Sequence, residues 1–294
     1  TAPRRCPCLC GGVSAGGWNG PKRAGLGVIA PFALARLRAR AYVGAVLHRS
    51  PYAELPGRQP IFNVPGIVAA LALLLVAIHA VRTMVLSERS DIELLTYLAF
   101  IPARYSLPGA LGLPDGIGPK AWTFVSYGLL HANWMHLIVN LVWLLAFGTP
   151  VARRFGNWRF AVFCAVTAAA GAFAHFVTHP EGVAPLVGAS AAISGTMAAA
   201  VRFAFGPGGA LSAGGRSIFA DHQPAGSLME NLRDGRVLIF LVAWFALNLL
   251  FGLGFSLPGA DGAEVAWQAH VGGFVAGLLL FSLFDPVPRR QTVA

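Results

Sequence analysis

The run VAWQAHVGGFVAGLLLFSLF, Val265–Phe284, decides the architecture of this chain. It contains no Asp, Glu, Lys or Arg. A helix of this length at about 1.5 Å per residue reaches about 30 Å, the thickness of a bilayer's hydrocarbon core. Two features interrupt its apolar character. His270 would sit about 8 Å along the helix from its start, at a depth where an ionisable group is costly and therefore a functional candidate. Gly273 and Gly277 form a Gly-x-x-x-Gly face, which lets a neighbouring helix approach closely.

Working outward from that run, five more segments have membrane-spanning length: approximately Phe62–Val81, Ala121–Phe147, Trp158–Val177, Leu186–Phe205 and Arg236–Phe255. The second is overlong and polar near its start, so its membrane helix is expected from about Trp134. Leu86–Lys120 then reads as an outer loop whose apolar stretch, Ile92–Ile101, can enter the interface. Gly206–Gly235 reads as a polar, Gly-rich loop. Composition agrees with this division. Of 294 residues, 56% are hydrophobic and only 12% charged, and the mean hydropathy is +0.63. That charged share is about half the norm and could not clothe a water-soluble domain of this size. Intrinsic disorder requires the opposite composition. The 35 glycines follow no collagen period. The predicted fold class is an all-α membrane protein, a six-transmembrane-helix bundle over residues 61–288 with a short cytoplasmic tail at 289–294.

Residues 1–60 are predicted to be a basic, disordered extension, with a short basic helix around Phe32–Leu47. They hold nine of the 22 Lys and Arg residues but one acid, Glu54. Thr1 opens the chain and no methionine precedes Met84, so the sequence reads as a fragment or as one lacking its natural start. Cys6, Cys8 and Cys10 lack the second ligand cluster of a zinc finger, and Cys164 is read as packing. The remaining charges give orientation. With the N-terminus inside, the inner segments hold 18 Lys and Arg, whereas the outer ones hold four: Arg82, Arg89, Arg104 and Lys120. The positive-inside rule thus predicts a multi-pass protein with N-in/C-in topology. The net charge of +10 is a topology signal, so the expected environment is the lipid bilayer and no nucleic-acid partner is expected.

Three polar clusters interrupt the apolar runs. The first, His131-Ala-Asn-Trp-Met-His136-Leu-Ile-Val-Asn140, leads into span two, with His136 and Asn140 on one helical face. The second is Gly188-Ala-Ser190-Ala-Ala-Ile-Ser194-Gly195, at the start of span four. The third surrounds His270. All three fall in the outer half of the membrane under the predicted topology. Together they supply the inventory for acyl transfer: Ser190 as nucleophile, His270 as base, His136 and Asn140 as oxyanion donors. No span has an Asp or Glu in its interior, which excludes a Ser-His-Asp triad and leaves a Ser-His dyad. Asp261 and Glu264 lie at the outer mouth of span six, too far along to be the default partner of His270. His175 and His179 lack a third ligand and read as interfacial, so no metal site is expected.

These residues resemble the rhomboid family of intramembrane serine proteases over approximately Ile61–Phe284. The resemblance rests on His-x-x-x-x-His-x-x-x-Asn at His131, His136 and Asn140, on Gly-x-Ser at Gly188–Ser190, and on Ala-His-x-Gly-Gly-x-x-x-Gly from Ala269 to Gly277. It implies a rhomboid-like bundle with Ser190 as nucleophile, His270 as base, and His136 with Asn140 as the oxyanion hole. His131 would be a structural hydrogen-bonder, and Gly188, Gly273 and Gly277 would shape the site. It also implies transmembrane protein substrates, no cofactor or metal, and a bacterial inner (plasma) membrane location.

The chain departs from the family pattern in places. Ala191 stands where a second glycine usually follows the nucleophile. Ser194 occupies an often aromatic position and is a rival nucleophile; Ser190 is favoured by its Gly-x-Ser context and depth. Ala103-Arg104-Tyr105 stands near the usual outer-loop Trp-Arg pair, and Ala152 replaces a common glutamate. The main alternative is a catalytically inactive rhomboid-like protein that binds membrane clients. A His-relay transporter would require intramembrane carboxylates or internal repeats, and none is present.

Overall fold

The computed structural model describes residues 64–109, 112–114, 116–212, 220–253 and 265–288. The basic extension, its helix at 32–47, the Cys-x-Cys-x-Cys motif, Asp261, Glu264 and the tail at 289–294 lie outside these residues. Among the described residues the structure is a helical bundle with no strand. Its elements are α1 Gly66–Met84, α2 Glu88–Leu98, α3 Ala103–Ser106, α4 Ile117–Ser126, α5 Trp134–Trp143, α6 Thr149–Phe155, α7 Asn157–Thr178, α8 Ser190–Ala204, α9 Leu228–Arg233, α10 Gly235–Gly252 and α11 Trp267–Phe284.

Each of the six predicted spans contains helix among the described residues. Four are long and apolar enough to cross a bilayer on their own: α1, the α5–α6 run Trp134–Phe155, α7 and α11. Span two begins at Trp134, where Asn133 caps it by accepting from the His136 N–H at 2.8 Å. The run continues from α5 into α6 through a π turn at Leu144–Gly148. Pro150 explains that turn: it lacks an N–H, and its ring would clash with the carbonyl four residues back, so the helix widens ahead of it.

The structure corrects three segment boundaries. Residues 121–126, read as part of span two, belong to the separate helix α4, which ends in a 3-10 turn at Tyr127–Leu129. Leu86–Lys120 is not an open loop but contains α2 and α3 and the start of α4. The Gly206–Gly235 segment contains α9, started by a capping box at Ser227 and Glu230. Apolar Trp122 and Phe124 continued the hydrophobic run in sequence, which concealed the break.

The core is built on α8. Apart from Ala192, every residue from Ala191 to Ala204 is buried. The helix has only 15 residues, about 22 Å at the usual rise, and so is shorter than a bilayer core. The segment leading into it is enclosed by protein: Leu186, Gly188 and Ala189 are buried, the condition under which irregular backbone is tolerated at membrane depth. Leu186 is held by a two-way backbone pair with Phe100, at 2.8 and 3.3 Å.

The longest helix interfaces join α11 to α7 and α8. Glycines permit this. A methyl group at Gly277 would meet the backbone of Gly195, and one at Gly195 would meet Thr167 of α7 at 2.6 Å. By contrast, α10 leans on α11 along a narrow seam and exposes Ile239, Val242 and Leu249.

Two buried arginines close the ends of the bundle. Arg82, at the end of α1, forms a bidentate pair with Asp91 of α2 at 2.6 and 3.0 Å, and donates to the His131 carbonyl at 2.9 Å. Arg154 of α6, fully buried, pairs with Asp285 at 2.8 and 2.9 Å, donates to the carbonyls of Asp221 and Gln223, and lies over the Phe203 and Phe281 rings. A buried guanidinium persists only when its donors are matched in this way.

Candidate active site

Ser190 is the first residue of α8. Ala189 precedes it, with no side chain capping the helix. The first intrahelical bond is from the Ile193 N–H to the Ala189 carbonyl at 3.0 Å, so the N–H groups of Ser190, Ala191 and Ala192 have no partner within the helix. The serine hydroxyl is therefore surrounded by free donors and the positive end of the helix dipole. Ser194, one turn further in, is 4% exposed, whereas Ser190 is only half-buried. Reagents arriving from the end of the bundle where α8 begins would meet Ser190 first.

Gly188 brings the first cluster to the second. Its φ of +122° lies in the region that favours glycine, and its N–H donates to the Tyr127 carbonyl at 3.1 Å. A methyl group on it would stand 2.8 Å from both Cε1 and Nε2 of His136, and 3.6 Å from Ser190 Oγ. The imidazole edge and the hydroxyl thus flank the same stretch of bare backbone. Nδ1 of His136 accepts from the Ala132 N–H, at a long 3.4 Å. A neutral ring that accepts at Nδ1 carries its proton at Nε2, so His136 presents a donor toward Gly188 and Ser190. Asn140 donates from Nδ2 to the His136 carbonyl at 2.8 Å; its Oδ1 is buried without a partner.

His131 is placed differently from the implied role. Its ring is fully buried and neither nitrogen is hydrogen-bonded. It is the backbone carbonyl that is used, by Arg82, while the ring packs edge-on against His136 at 5.2 Å. His131 lies in the loop before α5, where burial, with His136, His79 and Arg82 nearby, pushes its pKa down to about 3.

His270 occupies the first turn of α11, a helix that packs closely on α8. Gly273 lies against the backbone of Ala191, so the helix bearing the histidine and the one bearing the serine touch main chain to main chain. Ala191, the departure from the family pattern, is accommodated by Gly171 of α7: a methyl group at Gly171 would run into the Ala191 Cβ. No hydrogen bond joins Ser190 to His270 among the described residues; such contacts are commonly long until substrate is bound. His270 is bonded elsewhere. Its Nδ1 lies 2.6 Å from Oδ1 of Asn248 on α10. Asn248 was not singled out in the sequence, although it is the one amide in an otherwise apolar stretch, AWFALNLLFG. An intramembrane polar residue was the available signal. His175 and His179 stack on each other at the end of α7, at 5.0 Å and far from this cluster in the chain.

A family model, Rhomboid domain, matches residues 118–285, more than half of the chain. Among curated relatives, RHOMBOID-like protein 5 of Arabidopsis thaliana is 25% identical over 161 residues, covering 55% of this chain and 43% of its own length. Rhomboid-related protein 2 of Mus musculus is 29% identical over 173 residues, covering 56% and 50%. Rhomboid protease GlpG of Haemophilus influenzae is 25% identical over 175 residues, covering 59% and 74%. The chain spans about half or less of the length of the plant and mouse relatives it matches.

Proposed function

The chain belongs to the rhomboid family, and from that premise we propose that it is an intramembrane serine endopeptidase acting on transmembrane-segment substrates. The observation that carries the reading is the convergence at Gly188. There a helix-starting serine and a histidine donor flank one left-handed glycine, while α11, the helix that carries His270, packs its Gly273 against the backbone of the same helix at Ala191. One relative bears the name protease, which agrees with it.

In the proposed reaction, the Ser190 hydroxyl attacks a substrate peptide carbonyl as His270 Nε2 takes its proton. The new oxyanion is received by His136 Nε2–H, by the Asn140 amide once it turns from its helix carbonyl, and by the free N–H groups at the start of α8. The C–N bond then breaks as His270 returns the proton to the leaving amine. Water, deprotonated by His270, hydrolyses the acyl ester and restores Ser190. A regular helix hides its peptide bonds, so the substrate must unwind locally, and small helix-destabilising residues favour that. The charge asymmetry supports N-in/C-in topology, with the site opening outward.

The test is reconstitution of the full chain in vesicles with a model transmembrane substrate, comparing wild type with Ser190→Ala, Ser194→Ala and His270→Ala. Loss of cleavage in the first and third alone is expected. Undiminished cleavage by Ser190→Ala would sink the reading. Loss with Ser194→Ala alone would move the nucleophile. Substrate capture without cleavage by the wild type would favour a client-binding role.

A further inference from the structure

We infer that Asn248 is the positioning residue for His270, completing a Ser190–His270–Asn248 relay in which a neutral amide does the work a carboxylate does in a Ser-His-Asp triad. The inference rests on the protease reading and adds a member to its site from a helix, α10, that otherwise contributes nothing to it.

The orientation of the amide follows from its two bonds. Asn248 Nδ2 donates to the Trp244 carbonyl at 2.8 Å, one turn back on the same helix. That commits the NH₂ group and leaves Oδ1, which can only accept, facing His270. The nitrogen it meets at 2.6 Å must then be Nδ1–H. A neutral imidazole protonated at Nδ1 has its lone pair on Nε2, the atom required to take a proton from serine. Asn248 is 7% exposed, so little water competes for the bond.

A second contact holds the same register. Trp244 and Asn248 are four residues apart on α10, and His270 and Phe274 are four apart on α11, so each pair shares a helix face. The Trp244 ring stacks on Phe274 at 4.4 Å and 29°, directly beneath the amide–imidazole bond. The two contacts form successive rungs between helices that otherwise touch along a narrow seam. His136 has the opposite arrangement: its Nδ1 accepts, which leaves the ring proton on Nε2. Two histidines are thus set in opposite tautomers by their Nδ1 partners, one as donor and one as base.

The experiment uses the full chain with a model transmembrane substrate, measuring kcat and KM from pH 5 to 9 for wild type, Asn248→Ala and Asn248→Asp. Asn248→Ala is expected to lower kcat by roughly 10- to 100-fold with KM little changed, the scale on which partners that orient metal-bound histidines act. Asn248→Asp should restore kcat to within several-fold. It should also move the acid limb of the profile to higher pH, because a carboxylate stabilises the imidazolium. Asn248→Ala with wild-type kcat and pH profile would overturn the role, and so would Asn248→Asp with an unmoved acid limb. A readout independent of cleavage separates this from the protease reading: ¹⁵N shifts of His270 should report the Nδ1–H tautomer in wild type and its loss in Asn248→Ala. An unchanged tautomer overturns the inference even if Ser190→Ala abolishes activity; a changed one supports it even if no cleavage occurs.

Discussion

Gly273 of α11 sits so close to Ala191 of α8 that a methyl group in place of its hydrogen would collide with the Ala191 carbonyl oxygen. This contact sets the spacing between the serine-bearing and histidine-bearing helices. Overpacking of this kind costs about 1–3 kcal/mol when neighbours can shift, and here the neighbour is backbone. Gly273→Ala is therefore expected to lower the thermal midpoint in detergent and to abolish cleavage by the protein that remains folded. Full activity in a stably folded Gly273→Ala protein would show that the spacing is not needed.

Gly188→Ala attacks the site in a different way. The substituted residue would have to keep a φ of +122°, and its methyl group would enter the His136 ring. Strain of about 1–3 kcal/mol is expected from the backbone alone. Displacing the donor should cost about 10²–10³ in kcat, the usual consequence of losing one oxyanion partner. Steady-state kinetics on a transmembrane substrate measure this, with His136→Ala expected to show the kcat loss while retaining more stability.

At the other end of the bundle, Arg154→Ala would leave the largely buried Asp285 carboxylate without its guanidinium partner. Breaking such a pair costs about 3–5 kcal/mol. The double variant Arg154→Met, Asp285→Leu should recover much of that loss. Thermal unfolding of the three proteins in one detergent tests both statements.

Acid should weaken the fold through His131. Its imidazole is held down to about 3 by burial, whereas the same group in the unfolded chain titrates near its ordinary 6.5. Between these values the unfolded state binds the extra proton, so the contribution of His131 is whole above pH 6.5 and declines as pH falls toward 3. A His131→Leu variant should lose stability less steeply than wild type between pH 6.5 and 4 in chemical unfolding. Parallel curves would refute the assignment.

Much of the bundle was legible because its physics is one-dimensional. A span announces itself by length and by the absence of charge, as Val265–Phe284 does, and polar residues in such runs stand out, as His136, Asn140 and His270 did. Gly273 and Gly277 signalled close approach without saying to what; their partners, Ala191 and Gly195, became evident only in three dimensions. The outer helices were harder to read. Arg104 is buried, donating to the carbonyls of Thr96 and Ala99 at the end of α2, and Tyr105 bonds Thr123 of α4 at 2.7 Å. Those contacts turn an apparent loop into packed structure, and no periodicity in 86–120 encodes them. Asn248 was hidden for a related reason. An asparagine in an apolar run is visible, but its bond to His270 depends on which spans are neighbours.

The lack of carboxylates in the candidate site has a consequence for how the protein is made. Ser190, His136, Asn140, Asn248 and His270 include no Asp, Glu, Lys or Arg. A charged residue near the centre of a segment entering the bilayer through the insertion machinery costs about 2.5–3.5 kcal/mol. The stretches bearing His136, Asn140, Asn248 and His270 therefore incur no such cost for their site residues on entering lipid, whereas α8, too short to span alone, needs protein around it. The polar groups meet only once the helices have assembled, so under the protease reading the site is completed at the last stage of biogenesis.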